Sequence, residues 1–253
     1  MVREGHCIHC GACAGACPQG AIRLEGERPV TDLERCTLCG SCVEVCYAGA
    51  RELVGREMAP AEVLAAIERD LAFYEESGGG VTFSGGEPLA QPAFLAALLS
   101  ACHERGIHTA VDTCGFSTWA VLDGVRGWVD LFLYDLKVMD SDRHRQLTGV
   151  SNELILYNLR ALSAAAHSTV VRVPLIPGLN DDEANIRAIG SFVAALPYRY
   201  PIELLPYHRT AVDKYARLNR AYALGAITAP SPEQMAGAAA ILKSFDLEIR
   251  MGG

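Results

Sequence analysis

The stretch CIHCGACAGACP at residues 7–18 and its counterpart CTLCGSCVEVC at residues 36–46 hold eight of the chain's ten cysteines. Both follow one spacing, C-x2-C-x2-C-x3-C, which binds [4Fe–4S] clusters in bacterial two-cluster ferredoxins. Three cysteines of each run bind one cluster, and the fourth binds the other cluster. The pattern predicts two clusters with crossed ligands: Cys7, Cys10, Cys13 and Cys46 for the first, and Cys36, Cys39, Cys42 and Cys17 for the second.

Two other uses of these cysteines fit the spacing less well. A zinc site needs only four ligands, which typically come as two C-x2-C pairs. A disulfide framework would need adjacent bridges at x2 spacing, and such bridges would be strained. Disulfides also belong to oxidising compartments, whereas the rest of the chain has the character of a cytosolic protein. The cysteine runs therefore indicate a redox protein.

The length leaves room for one large domain or for a large and a small one, and oxygen-sensitive thiolates kept as ligands imply a reducing cytoplasm. Half of the 253 residues are hydrophobic, which is enough for a buried core, and the net charge of −8 argues against a nucleic-acid partner. No apolar stretch approaches the ~20 residues of a membrane span. Residues 1–56 hold eight cysteines and little aliphatic bulk, so metal ligation must replace a core there. We expect a ferredoxin-like domain at 1–56 and a second domain at 57–253.

From Met58 onward, segments with helical apolar spacing alternate with short apolar segments typical of strands. A last helix beginning at Pro232 leads into a short apolar segment. Repeated β–α units imply parallel strands in a barrel or open sheet, with functional side chains just past their carboxyl ends. The predicted strands are Val81–Phe83, His108–Asp112, Leu131–Leu136, Thr169–Pro174 and Ile202–Pro206.

Two helix starts have the pattern of a capping box, in which a polar side chain binds the backbone of the first turn. One is Asn180 with Glu183, and the other is Ser231 with Gln234. Asp181 and Asp182 lie beside the first of these starts, and we interpret them as helix caps in preference to metal ligands.

The predicted strand ends are polar, and their side chains should converge on one mouth of the sheet. Carboxylates, a lysine, a histidine and glycine-exposed backbone together suit a ligand that bears both an ammonium and a carboxylate, such as an amino-acid moiety. Individually these residues have simpler interpretations, because Asp135 and Lys137 could form a surface ion pair and Glu87 or His208 could be solvated. The candidate site residues are Ser84, Gly85, Gly86, Glu87, Asp112, Asp135, Leu136, Lys137, Arg172 and His208.

The motifs at these strand ends resemble those of the glycyl-radical-enzyme activating family of radical S-adenosylmethionine proteins. The string SGGGVTFSGGEPLAQPAF at 77–94 is followed in order by DTCG, DLK, LTGVSN, VRVPLIPGLNDD and ELLPYH. The two cysteine runs are similar to an insert in the subgroup that activates glycerol and choline lyases, benzylsuccinate synthase and hydroxyphenylacetate decarboxylase. The resemblance implies an α/β fold: a partial (β/α)6-type radical S-adenosylmethionine barrel with an N-terminal ferredoxin-like two-cluster domain.

The resemblance also implies an activity, cofactors and partners. The family cleaves S-adenosylmethionine reductively and abstracts hydrogen from a glycine of a partner enzyme, the glycyl radical enzyme. An electron donor such as flavodoxin or ferredoxin is expected, and no membrane or nucleic acid. By resemblance, the stretch His144–Asn152 lies near the partner peptide. The ligand-holding positions of the family correspond to Gly85, Gly86, Glu87, Asp135, Lys137 and His208.

One feature of the family has no match in these 253 residues. A third cluster, which binds S-adenosylmethionine, is held in the family by C-x3-C-x2-C on the first barrel strand. That spacing fails here because Gly20 and Gly49 stand where the last cysteine would be required, and Cys102 and Cys114 are isolated. We therefore expect the ligands of the catalytic cluster to be missing from this chain, with no catalytic residue to assign. The alternative hypothesis is a truncated, non-catalytic iron–sulfur protein for electron transfer or binding.

Overall fold

A computed structural model describes residues 2–218 and 221–252 of the chain. The chain divides into two units, of which the first comprises Met1–Glu57 with His208–Ala226 and the second comprises Met58–Tyr207 with Ile227–Gly253. The predicted domain boundary after residue 56 stays a prediction. The grouping of residues 208–226 with the cysteine-rich segment has no signal in the sequence.

The second unit is built on a parallel sheet whose strands follow chain order, β3-β4-β5-β6-β7-β8. Alternate residues of the central strands are buried, as expected for strands with one face covered by helices. The α/β fold predicted from the repeated β–α pattern is confirmed. The strands are β3 Gly80–Phe83, β4 His108–Thr113, β5 Leu131–Asp135, β6 Thr169–Leu175, β7 Ile202–Pro206 and β8 Ile249–Met251.

Several helices of the second unit share a hydrophobic core with the buried residues of this sheet. Fully buried Phe132 and Tyr134 of β5 lie in the same core as Leu159 and Ile189 from two of these helices. The helical segment that begins at Pro60 is interrupted by a 3-10 turn at Glu68–Asp70. The helices are α3 Pro60–Ile67, α4 Leu71–Ser77, α5 Pro92–Glu104, α6 Trp119–Arg126, α7 Ser141–Thr148, α8 Glu153–Ala164, α9 Glu183–Ala194 and α11 Pro232–Lys243.

The helix starts confirm one capping prediction and correct the other. Ser231 and Gln234 form a capping box at the start of α11. At α9 the predicted capping box of Asn180 with Glu183 is wrong, because the N-cap is Asp182, whose carboxylate accepts a hydrogen bond from the Asn185 amide at 3.0 Å. Asn180 is buried, and its side chain forms hydrogen bonds with backbone carbonyls of the same unit.

The first unit repeats its backbone conformation at the period of its cysteine runs. It contains the short helices α1 Ala12–Gly15 and α2 Ser41–Glu44, the antiparallel strands β1 Ile22–Glu25 and β2 Arg28–Thr31, and the helix α10 Ala211–Arg217. Positive φ angles occur at pairs of positions that are related by the repeat: His9 and Leu38, Gly11 and Gly40, and Gly20 and Gly49. The two cysteine runs therefore fold as matching half-modules.

Within residues 2–218 and 221–252, none of the helices combines the length and the apolar character that spanning a membrane would require.

Candidate functional site

Arg172, in the middle of β6, joins two carboxylates that lie at the carboxyl ends of β4 and β5. Its guanidinium contacts Asp112 of β4 and donates to Asp135 of β5 from Nε at 3.1 Å and from Nη2 at 2.9 Å. All three side chains are largely buried. Burial opposes the charge of Arg172, but the two carboxylates outweigh it and raise the pKa of the guanidinium. This bridge fixes the predicted site residues of three strands on one face of the sheet.

Ser84 and Lys137 extend this group on either side. The Ser84 hydroxyl donates to Asp112 Oδ2 at 3.1 Å, and Lys137 Nζ lies 3.6 Å from Asp135 Oδ2. The simple ion-pair interpretation of Asp135 and Lys137 is therefore correct in part, although the Lys137 side chain is only 38% exposed. The ammonium, two carboxylates and a hydroxyl stand together at the carboxyl end of the sheet, as predicted.

Leu136 is placed differently from the other predicted ligand contacts. Its side chain is 2% exposed and belongs to the core, and its amide donates to the carbonyl of Arg172 at 2.9 Å. The side chain and the amide of Leu136 are thus both used within the fold. A contact of either group with a bound ligand has no support in the geometry.

Gly85 and Gly86 leave open space where side chains would stand. Gly85 has a φ of +126°, a conformation that side chains disfavour, and no atom lies within 4 Å of a Cβ built at either residue. The exposed backbone of this turn can approach a ligand closely. This is the property that a binding loop for a small polar group requires.

The carboxylate of Glu87 is used as an acceptor for groups of its own loop and the next strand end. It accepts from the Leu89 amide at 3.1 Å, the Thr113 hydroxyl at 2.6 Å, and the amide and thiol of Cys114 at 3.0 and 3.1 Å. Burial is the main cause that raises the pKa of Cys114 to about 11, and the Glu87 carboxylate adds to it. Glu87 therefore connects its own GGEP loop, residues 85–88, to the DTCG loop, residues 112–115.

Two buried asparagines form hydrogen bonds with the backbone of the motif Asp135–Lys137. Asn180 and Asn185 donate from Nδ2 to the carbonyl of Lys137 at 3.0 and 3.3 Å. Asn180 also donates to the Pro174 carbonyl at 2.7 Å. Local sequence patterns indicate no role at the site for these asparagines, for Thr113 or for Cys114, because their partners lie far along the chain.

His208 belongs to the first unit, where its ring is exposed and its Nδ1 lies 2.7 Å from the hydroxyl of Thr210. Its predicted part in holding the ligand stays a prediction.

The predicted partner region His144–Asn152 begins in α7, and both of its end residues are buried. Asn152 donates from Nδ2 to the carbonyls of Val138 and Met139 at 2.9 and 2.8 Å. The ends of this region are therefore structural, and Leu147 between them is 43% exposed.

The eight cysteines of the first unit surround two cavities. None of them forms a disulfide. One cavity is lined by the predicted second ligand set and the other by the predicted first set, so each contains one cysteine from the opposite run. The sets are Cys17, Cys36, Cys39 and Cys42 around one cavity, and Cys7, Cys10, Cys13 and Cys46 around the other.

Neighbouring protein groups lie close to two of the cysteine sulfurs in the first unit. In the described part of the chain, no three cysteine, histidine or carboxylate side chains are close enough to share one ion. Backbone and hydroxyl groups also point at the sulfurs: the Ala21 amide donates to Cys17 Sγ at 3.3 Å, and Ser41 Oγ lies 3.5 Å from Cys39 Sγ. This hydrogen bond with Ser41 lowers the pKa of Cys39. Hydrogen bonds to sulfur are a means by which proteins tune iron–sulfur clusters.

Comparisons with known proteins agree with this geometry. Residues 34–187 match the model of the radical SAM superfamily, and residues 6–50 match the model of a 4Fe-4S dicluster domain. A domain of pyruvate-formate lyase-activating enzyme from Bacteroides vulgatus superimposes with a TM-score of 0.59 at 41% identity, covering 69% of this chain and 99% of that one.

Two curated relatives are similar over almost the whole chain. The choline trimethylamine-lyase activating enzyme of Oleidesulfovibrio alaskensis is 40% identical over 98% of this chain and 82% of its own length. The trans-4-hydroxy-L-proline dehydratase activating enzyme of Clostridioides difficile is 38% identical over 100% of this chain and 84% of its own length. The chain belongs to the radical S-adenosylmethionine superfamily and, within it, to the glycyl-radical-enzyme activating family. That family consists of enzymes, and the resemblance predicted from the strand-end motifs is confirmed.

Proposed function

We propose that this protein activates a glycyl radical enzyme by reductive cleavage of S-adenosylmethionine and hydrogen abstraction from a glycine of that partner. The observation that carries the proposal is the bridge of Arg172 between Asp112 and Asp135, with Lys137 beside it. It presents charges of both signs in one place, as a ligand with an ammonium and a carboxylate requires.

In the second unit, some of the site residues would contact S-adenosylmethionine, and others hold the contacting groups in position. The open backbone of Gly85 and Gly86 and the side chains of Asp112, Asp135 and Lys137 are the groups that would contact S-adenosylmethionine. Arg172 and Glu87 act as positioning residues, since their polar atoms are engaged with other protein groups. The assignment of His208 as a ligand contact rests on the family resemblance alone.

The first unit is proposed to hold two auxiliary [4Fe–4S] clusters. The cavities lined by four cysteines each support the crossed ligand sets. Clusters of this kind supply one-electron transfer when bound. Their role here would be to relay electrons from a reductant such as flavodoxin or ferredoxin toward the site on the sheet.

Cleavage also requires the family's third cluster, whose C-x3-C-x2-C spacing does not occur among residues 1–253. The alternative function is therefore a non-catalytic iron–sulfur protein that transfers electrons or binds the cofactor. Iron content and cleavage activity distinguish the two functions.

The experiment is anaerobic reconstitution of the chain, followed by iron analysis and dithionite-driven cleavage of S-adenosylmethionine. About eight irons per chain without cleavage would support the alternative for this polypeptide, and about twelve irons would show that the ligand count is wrong. Binding of S-adenosylmethionine is measured alongside, with Asp135→Asn as the site variant and Asp246→Asn as an exposed control. Equal binding by both variants and wild type would contradict the proposed site.

The proposed partner is a member of the glycyl radical enzyme class. Relatives named for different lyases and dehydratases match this chain at nearly equal identity, 40% and 38%. The surface around Leu147 is the proposed place of contact with the partner peptide.

A further inference from the structure

Arg51 is a buried arginine at the end of the second cysteine run. It follows the buried residue Ala50, is 6% exposed, and its backbone pairs with Val2 in an antiparallel bridge. Burial of a charged side chain is costly unless a charge of opposite sign or a full set of hydrogen bonds compensates for it. The surroundings of Arg51 therefore have to supply that compensation.

The protein groups around Arg51 supply it only in part. Nη1 donates to the Thr31 hydroxyl at 2.8 Å and Nη2 to the Pro29 carbonyl at 3.4 Å, while Nε is buried without any partner. The neighbouring Glu52 carboxylate is paired with Arg3 and Arg217. Within the described ranges, no carboxylate forms an ion pair with Arg51.

The position of Arg51 beside the cysteine cavities indicates which group could neutralise its charge. Among the residues that the structure describes, Arg51 is the one positively charged residue that lines both cysteine cavities. Arg51 and Cys42 line the same cavity. A cluster held by four thiolates is an anion, so either cavity would place a negative charge next to the buried guanidinium when its cluster is bound.

The internal repeat shows that the fold itself does not need a charge at this place. The residue 29 positions earlier is Ile22, which is as buried as Arg51, at 6% exposure. The preceding residues, Ala21 and Ala50, are identical. The two half-modules thus differ at one buried position, where one holds an aliphatic side chain and the other a cation.

We propose that Arg51 is an electrostatic positioning residue of the two-cluster unit, which uses the bound clusters as its counter-ion and raises their reduction potential. The inference rests on the proposed cluster ligation. A fixed positive charge stabilises the reduced cluster, which carries one more negative charge than the oxidised cluster, and low-dielectric surroundings strengthen the effect. The charge lies next to both proposed cluster positions, because Arg51 lines both cavities.

The test is a redox titration of the reconstituted full chain, in which electron paramagnetic resonance follows each cluster. Arg51→Met removes the charge while keeping an unbranched side chain, and Arg51→Lys keeps the charge. Arg23→Met is the matched control, since Arg23 is 63% exposed and paired with Glu25. Removal of the charge is expected to make reduction of at least one cluster about tenfold less favourable, a shift of about 59 mV to lower potential for one electron.

The outcomes separate this inference from the proposed function. If wild type takes up no clusters, the cluster ligation itself fails. If R51M holds both clusters at wild-type potentials, the ligation stands and the inference about Arg51 is overturned. If R51M takes up less iron than wild type, the R51K variant distinguishes the two explanations. Full iron uptake by R51K at near-wild-type potentials supports the electrostatic role of Arg51. A loss of iron in R51K equal to that in R51M shows that only the hydrogen bonds of the guanidinium matter, and overturns the inference.

Discussion

At the scale of single residues, the site depends on carboxylates that serve several donors at once. Glu87 joins two loops and Asp135 accepts two hydrogen bonds from Arg172. A buried donor that loses its acceptor costs about 1–3 kcal/mol, so substitutions here are expected to act first through the geometry of the loops. The reactivity of the Cys114 thiol, which donates to the Glu87 carboxylate, gives a measure of this hydrogen bonding.

We predict that the Cys114 thiol reacts slowly with alkylating reagents in the cluster-loaded protein. Its pKa is raised to about 11, mainly by burial. Because the thiolate is the reactive form, reaction at pH 8 should be about a hundredfold slower than for an ordinary exposed thiol. The rate should rise about tenfold per pH unit toward pH 11, since a raised pKa postpones ionisation to higher pH. Iodoacetamide labelling read by peptide mass spectrometry measures both.

The matched variant for this experiment is Glu87→Gln. It removes the negative charge that adds to the shift and should accelerate labelling of Cys114, while Glu104→Gln on the exposed surface of α5 should leave the rate unchanged. A labelling rate that levels off near pH 9 in wild type would contradict the prediction.

At the scale of elements, close packing behind the DTCG loop explains its glycine. Gly115 has a φ of +68°, and a Cβ there would lie 1.7 Å from Tyr134 Oη. Tyr134 is fully buried on β5, and its hydroxyl donates to the Ile155 carbonyl of α8 at 2.7 Å. The end of β4, the middle of β5 and the start of α8 therefore meet at this glycine.

We predict that Gly115→Ala lowers the stability of the second unit by at least about 2 kcal/mol, because it adds backbone strain and displaces a buried, hydrogen-bonded tyrosine. Gly124→Ala is the control: nothing lies within 4 Å of a Cβ there, and in the interior of α6 alanine should stabilise by about 0.5–1 kcal/mol. Thermal unfolding followed by circular dichroism compares the two. A G115A protein as stable as wild type would show that the contact with Tyr134 is readily relieved.

The N-cap of α9 gives a second prediction at this scale. Asp182 caps the helix and pairs with Arg143 at 2.7 Å. Asp182→Ala should cost about 1 kcal/mol of stability, whereas Asp182→Asn should retain most of the cap because asparagine is an equally good N-cap residue. The same thermal measurement applies. Equal losses in both variants would assign the effect to the Arg143 pair and not to the cap.

At the scale of the whole molecule, crossed ligation would make the two halves of the first unit depend on each other. Each cavity is completed by a cysteine from the other run: Cys17 in one and Cys46 in the other. A unit with so little aliphatic core would then gain its stability from the clusters.

Double variants test this crossing. If Cys17 and Cys36 bind the same cluster, C17A/C36A should lose no more iron than C36A alone, about four per chain, whereas C7A/C36A should lose about eight. Iron analysis after anaerobic reconstitution gives the answer, and C102A serves as a control because Cys102 is buried in the second unit. Larger loss in C17A/C36A than in C36A would mean that each run binds its own cluster.

The sequence by itself determined the class of fold and the family, because the signals for them are local. The spacing of the cysteines, the alternation of strands and helices and the ordered motifs at the strand ends can each be read from a few neighbouring residues. Even Arg51 could have been noticed, since it breaks the repeat at the position of Ile22.

Only the tertiary structure decided how the candidate site is held together. The acceptor role of Glu87 depends on Cys114, 27 positions away, and that of Asp112 on Arg172, 60 positions away. The sequence indicates Asn180, Asp181 and Asp182 as caps of α9, and the structure selects Asp182, while Asn180 is buried and donates to the Lys137 carbonyl. Pairings between distant residues follow from how the strands align and which polar groups become buried, and local patterns do not encode either.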